Sequence, residues 1–134
     1  YGWGIGATIS ITMGYTKSHT YCIVADGAIS RFEDLPSRFA QIGSRMLLGN
    51  EVTNRYKDPY TILNEVPSSN FRSILFIIGS KNYLFNEHDA NALSSQVKDG
   101  NGEVYVMQNS RFSDSFKDSP AEYTRKVSQF LINN

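Results

Sequence analysis

The segment Ser73-Ile74-Leu75-Phe76-Ile77-Ile78, closed by Gly79, constrains the fold more than any other stretch of the chain. Its apolar positions are consecutive, so both faces of the extended backbone need cover. A strand of that kind belongs in the middle of a parallel sheet with helices on both sides. Residues 21–25, Tyr21-Cys22-Ile23-Val24-Ala25, read as a second buried strand ending on the turn Asp26-Gly27. Residues 103–107, with Val104 and Val106 alternating, read as a third.

The stretches between these strands carry helical spacing. Ile5, Ile9 and Met13, with Thr8 and Thr12 beside them, predict a buried helix that stops at Gly14. Asp34-Leu35-Pro36 opens another, with Leu35, Phe39, Ile42 and Met46 on one face and Gly49 as its stop. A short helix around residues 60–63 fits between Pro59 and Pro67. Asn86 caps a helix carrying Ala90, Leu93 and Val97, and Asp99-Gly100-Asn101-Gly102 is a turn. Ser119-Pro120-Ala121-Glu122 reads as a capping box before a last helix that buries Tyr123, Val127, Phe130 and Leu131. Strands alternating with helices predict a three-layer α/β fold, a mostly parallel sheet with right-handed crossovers. Three strands make a thin sheet. The pattern asks for a fourth immediately before Gly2, and the sequence does not contain it.

That position matters because of Tyr1-Gly2-Trp3-Gly4-Ile5-Gly6-Ala7, a glycine-dense turn feeding the first helix. Glycine takes positive φ and allows close backbone approach. Two chemistries use such a turn. In the nucleophile elbow G-x-S-x-G it presents a serine; here Gly2, Gly6 and Ala7 fit, and Gly4 stands at the serine position. In G-x-G-x-x-A it holds a pyrophosphate at a helix N-terminus. Gly2, Gly4 and Ala7 satisfy that spacing too, and Asp26 ends the next strand where a ribose-binding acid belongs.

Composition narrows the function classes. The 134 residues suit one domain, and Lys plus Arg balance Asp plus Glu at 13 each. The positive residues are scattered, which argues against a nucleic-acid footprint. A single cysteine, Cys22, excludes an intrachain disulfide and favours an intracellular, cytoplasmic setting. No apolar run is long enough for a transmembrane helix, and there is no N-terminal targeting pattern. The two histidines, His19 and His88, have no metal-ligand spacing, so neither a metal nor a cofactor is expected.

Taken in order, these segments resemble the C-terminal half of an α/β-hydrolase, of lipase or acyl-hydrolase type. Gly2-Trp3-Gly4-Ile5-Gly6-Ala7 is similar to a G-W-S-I-G-G elbow. Cys22 to Asp26 with Ser30 to Leu35 resembles the strand and loop that follow the elbow helix. Asp58-Pro59-Tyr60 and residues 74–82 resemble a stretch ending in P-x-L-x-I-x-G-x-x-D, whose aspartate is the triad acid. Glu87-His88 resembles the pair that opens the next helix, and residues 104–116 resemble the last strand and the histidine loop. The resemblance implies a partial hydrolase-like domain over residues 1–134, without its N-terminal half.

It also implies where a triad would stand, and there the sequence departs. Gly4 replaces the serine, Asn82 the acid and Arg111 the histidine. The first has no side chain, the second no charge, and the third is a permanent cation. Of the oxyanion donors the resemblance implies, the backbone of Ile5 remains. Asp26 and His88 are substitute candidates, set against a turn role and a surface role. Cys22, inside an apolar strand, is inert packing. The expectation is a non-catalytic hydrolase-like protein with an interaction or ligand-holding role, the ligand small and apolar. The alternatives are an ester or lipid acyl hydrolase seen as a fragment or inactive variant, and a dinucleotide-binding domain. An open sheet edge is expected to meet the missing half, a second copy or a protein partner.

Overall fold

A computed structural model describes residues 1–35, 37–38, 57–67, 72–112 and 114–134. Among them, four strands form one parallel sheet in chain order: β1 (Gly2–Trp3), β2 (Cys22–Asp26), β3 (Ser73–Gly79) and β4 (Gly102–Met107). The helices are α1 (Ile5–Gly14), α2 (Pro59–Glu65), α3 (Glu87–Ser94), α4 (Ser115–Asp118) and α5 (Pro120–Asn133). Because strand side chains alternate, the sheet sorts its residues into two cores. Ile23, Ala25, Ile74, Phe76 and Ile78 pack with Ala7 and Ile11 of α1, Leu63 of α2, and Ala90 and Leu93 of α3. Val24, Leu75 and Ile77 pack with Met107 and with Tyr123 and Phe130 of α5. The result is the expected three-layer arrangement, with β3 in register between β2 and β4.

Local sequence accounts for the helix starts. Asp58 caps α2 by accepting from the Thr61 N–H at 2.8 Å, with Pro59 in the first turn. Asn86 and Asp89 form a reciprocal capping box at α3. Ser119 precedes α5 but makes no side-chain cap; Glu122, its expected partner, instead accepts from the Tyr105 hydroxyl at 2.6 Å. In α5, Tyr123 and Phe130 are buried, Val127 is half-buried, and Leu131 faces outward.

Two expectations need correction. The strand sought before Gly2 is Gly2–Trp3 itself, which pairs with β2 through Gly2↔Ala25 and Trp3↔Asp26. The edge strands are therefore β1 and β4, and β2 and β3 are interior. Second, α1 is turned away from its predicted face. Ala7, Thr8 and Ile11 are buried, whereas Ile5, Ile9 and Met13 are 67%, 49% and 61% exposed. The packing at the turn is close: a Cβ on Gly2 would lie 2.2 Å from the Gly6 carbonyl oxygen. Thr8 then sits over the loop after β2, where its Oγ1 accepts from the Ile29 N–H at 3.0 Å. Helix α1 has no charged residue, so its periodicity is apolar on more than one side. The helix expected from Pro36 through Phe39, Ile42 and Met46 to Gly49 lies mostly outside the described residues; Leu35 is buried in the first core.

Candidate functional site

In a parallel sheet all strand carboxyl ends open on one edge, which is where α/β folds place their chemistry. β1 runs through Gly4 straight into α1. Gly4 has φ 57° and ψ −122°, a conformation that strains any residue with a Cβ. Its N–H donates to the Asp26 carbonyl at 2.8 Å, and its own carbonyl accepts from Ala7 at 3.0 Å. Strand, tight turn and helix thus form an elbow. Ile5 and Gly6 begin α1, so their N–H groups are among the donors a helix cannot satisfy from within. The Ile5 side chain points outward.

Asn82 follows β3 and is buried. Its Oδ1 accepts from the Leu84 and Phe85 N–H groups at 3.0 and 3.1 Å, so the uncharged amide holds its own loop. Arg111 follows β4 and is exposed. The two loops are drawn together at Gly79, where a Cβ would lie 2.4 Å from the Ser110 carbonyl oxygen, and the Lys81 N–H donates to that oxygen at 2.9 Å. The Phe112 ring lies 3.5 Å from the position of a Cβ on Gly27 and packs against Phe85 with centroids 5.9 Å apart and the rings tilted by 56°. Gly4, Asn82 and Arg111 therefore occupy one edge, linked through Asp26, Gly27 and Phe112. None of the three can act as nucleophile, base or anionic orienter.

The substitutes lie elsewhere. Asp26 ends β2 with 2% exposure, turned toward α4 and α5. Ser115 Oγ donates to its Oδ1 at 3.5 Å, while Oδ2 has no partner among the described residues. Burial pushes its pKa up to about 6 despite the nearby Ser115 and Tyr123 hydroxyls. A carboxylate so enclosed presents no oxygen to a ribose. His88 is exposed in the first turn of α3, and His19 is exposed in the loop after α1. No group of three His, Cys, Asp or Glu among the described residues could hold a metal ion.

His88 instead borders an open, polar cavity of about 600 Å³ with Ser30, Arg38, Tyr60, Asn86 and Asp89. Arg38 grips Asp89 in a fork, at 2.5 and 2.6 Å, and donates to the Leu84 carbonyl at 2.7 Å. Ser30 Oγ donates to the same carboxylate at 3.1 Å. Burial raises the Asp89 pKa, but hydrogen bonds from Arg38, the Asn86 backbone and Ser30 outweigh it, leaving the group below the usual carboxylate range. Sequence reasoning missed this network. Asp89 was legible as the third residue of a capped helix, but nothing local named Arg38 as its partner.

No family model and no curated protein matches the sequence. Solved structures do. An esterase of Pyrococcus furiosus, in two crystal forms, is similar over 98% of this chain with TM-scores of 0.71 and 0.73 and identities of 21% and 18%. A meta-cleavage product hydrolase of Pseudomonas fluorescens is similar over 98% of the chain with a TM-score of 0.64 and 14% identity. The chain has the α/β-hydrolase fold. At these identities the likeness concerns the fold alone. The chain spans about half the length of the esterase, 51% and 52% in the two forms, and 63% of the second hydrolase. Among the described residues of this α/β-hydrolase-fold chain, no helix is long and apolar enough to cross a membrane.

Proposed function

We propose that this chain keeps the hydrolase architecture without the hydrolytic chemistry and serves as a non-catalytic binding or interaction module. The observation that carries the reading is Gly4, which has the elbow backbone and no side chain to use it. Asn82 spends its oxygen on its own loop, Arg111 is a cation, and both histidines are exposed. A serine triad loses most of its rate when one member goes, and here three are replaced. The ester-hydrolase alternative draws on the esterase likeness and the elbow geometry, so the test must separate the two. Purified chain is expected to release p-nitrophenol from short and medium acyl esters no faster than buffer. Gly4→Ser is expected to leave that unchanged, because no base stands ready to take the hydroxyl proton. Turnover in either protein, blocked by a serine-directed phosphonate, overturns the proposal.

The interaction half of the reading rests on α1 and β1. An uncharged helix with Ile5, Ile9 and Met13 outward, beside an exposed Trp3 on an edge strand, is built like a covered element. The surface that suits it is a polypeptide adding a strand beside β1 and laying apolar side chains over α1. The preceding half of a hydrolase domain, a second copy or a separate protein would each meet that description.

A further inference from the structure

Of the two edge strands, β4 is the one that offers a long row of backbone groups to a partner. It runs six residues, Gly102–Met107, in unbroken register with β3. Asn101 and Met107 turn their carbonyls to the β3 side, accepting from the Ile74 and Ser80 N–H groups, each at 2.9 Å. Backbone groups alternate along a strand, so Glu103 and Tyr105 also point inward, while Gly102, Val104 and Val106 point out of the sheet. Among the described residues, that outer row has one partner: Ser94 Oγ donates to the Gly102 carbonyl at 2.7 Å. The carbonyl keeps a second lone pair. Proline, lysine or a bulge is the usual means of blunting an edge, and β4 contains none of them. Its one charge, Glu103, is paired with Lys126.

We propose that β4 pairs antiparallel with β4 of a second copy, about a two-fold axis through Val104, joining two sheets into one. This goes beyond the binding face at α1 and β1, because β4 is the opposite edge of the sheet. The strand is self-complementary in that register. Val104 opposes Val104 and each Gly102 opposes a Val106, so every outward residue meets another and each opposed pair exchanges two bonds. On the α3 face, glycine leaves room for the valine it meets. On the α5 face, Glu103 comes opposite Tyr105 of the second copy, a ring that carries Lys126 at 5.0 Å from its centroid. Carboxylate thus meets cation across the seam. An axis through Glu103 would set two carboxylates face to face, and one through Tyr105 carries Gly102 past the end of the opposing strand. A pair related by a two-fold is closed, so the edge is used up in a dimer and not in a fibre.

Light scattering after size exclusion tests this in an Ile9→Lys background, which weakens association through α1. The Ile9→Lys chain should have the mass of two chains, and adding Val104→Pro should reduce it to one, a twofold drop. Proline suits that position because the Val104 N–H takes no part in the ladder with β3. Thiol cross-linking reads the register. In a Cys22→Ser chain, Val104→Cys should be captured as a disulfide dimer under mild oxidation, since opposed Cα atoms lie about 5.5 Å apart. Val106→Cys should stay uncoupled, because its counterpart lies roughly 13 Å away along the strand. A monomeric Ile9→Lys chain, a Val104→Pro chain that keeps the dimeric mass, or equal capture of the two thiol variants overturns the proposal. If Val104→Pro fails to fold, the thiol variants decide: no capture of Val104→Cys, or equal capture of both, overturns it.

Discussion

Asp89 and Asp26 are both buried carboxyls, yet their surroundings push them in opposite directions. Asp89 has a guanidinium in bidentate contact and a backbone donor from Asn86; Asp26 has one hydroxyl, that of Ser115, at 3.5 Å. A depressed folded pKa means that Asp89 contributes stability above 3.8, and this contribution is lost as pH falls through its lowered value. Removing Arg38 would leave an uncompensated buried charge. Arg38→Ala is therefore expected to cost about 3 kcal/mol at pH 7, measured by urea unfolding. The loss should shrink below about pH 4, where Asp89 can protonate. A loss under about 0.5 kcal/mol, typical of a surface pair, would show that the fork is not what holds α3 to the segment around Ser30 and Arg38.

At the scale of elements, α1 is the helix whose sequence and surroundings disagree. A lysine in the outward stripe ought to be harmless on a free surface, within about 0.5 kcal/mol, because it removes no packing. Ile9→Lys is accordingly expected to leave the melting temperature of the isolated chain nearly unchanged while reducing self-association, read by light scattering after size exclusion. A drop of many degrees would mean that Ile9 is buried within one chain. The same helix shows why part of the fold was legible and part was not. β3 was readable because six consecutive apolar or small positions fit only a strand covered on both faces. The orientation of α1 was hidden because Ile5, Ile9 and Met13 and Ala7, Ile11 and Tyr15 are both apolar sets, and the contacts that distinguish them, at Gly2 and between Thr8 and Ile29, are tertiary. Long-range pairs such as Arg38 with Asp89 or Tyr1 with Tyr123 leave no local periodicity to read. The elbow was legible because glycine spacing encodes backbone shape directly, and the three altered triad positions because each replacement lies at a fixed distance from such a turn or strand.

For the molecule as a whole, the two sides of the sheet are finished differently. β4 is braced by α3 and α5, with Glu103 paired to Lys126 and Tyr105 to Glu122. At the other side Ile5, Ile9 and Met13 of α1 and Trp3 of β1 face water. Gly6 lies on this unfinished side, and a Cβ built there meets nothing within 4 Å. In the first turn of a helix, glycine costs up to about 1 kcal/mol relative to alanine. Gly6→Ala should then raise the melting temperature of the chain by itself. If another polypeptide packs across α1, the added methyl would meet its backbone, and the same substitution should weaken that complex in a titration. A lower melting temperature for the isolated variant would show that the space is already taken. One hydrogen atom on Gly6 thus works as an occupancy gauge, able to report from a single substitution whether α1 lives in solvent or beneath a neighbour.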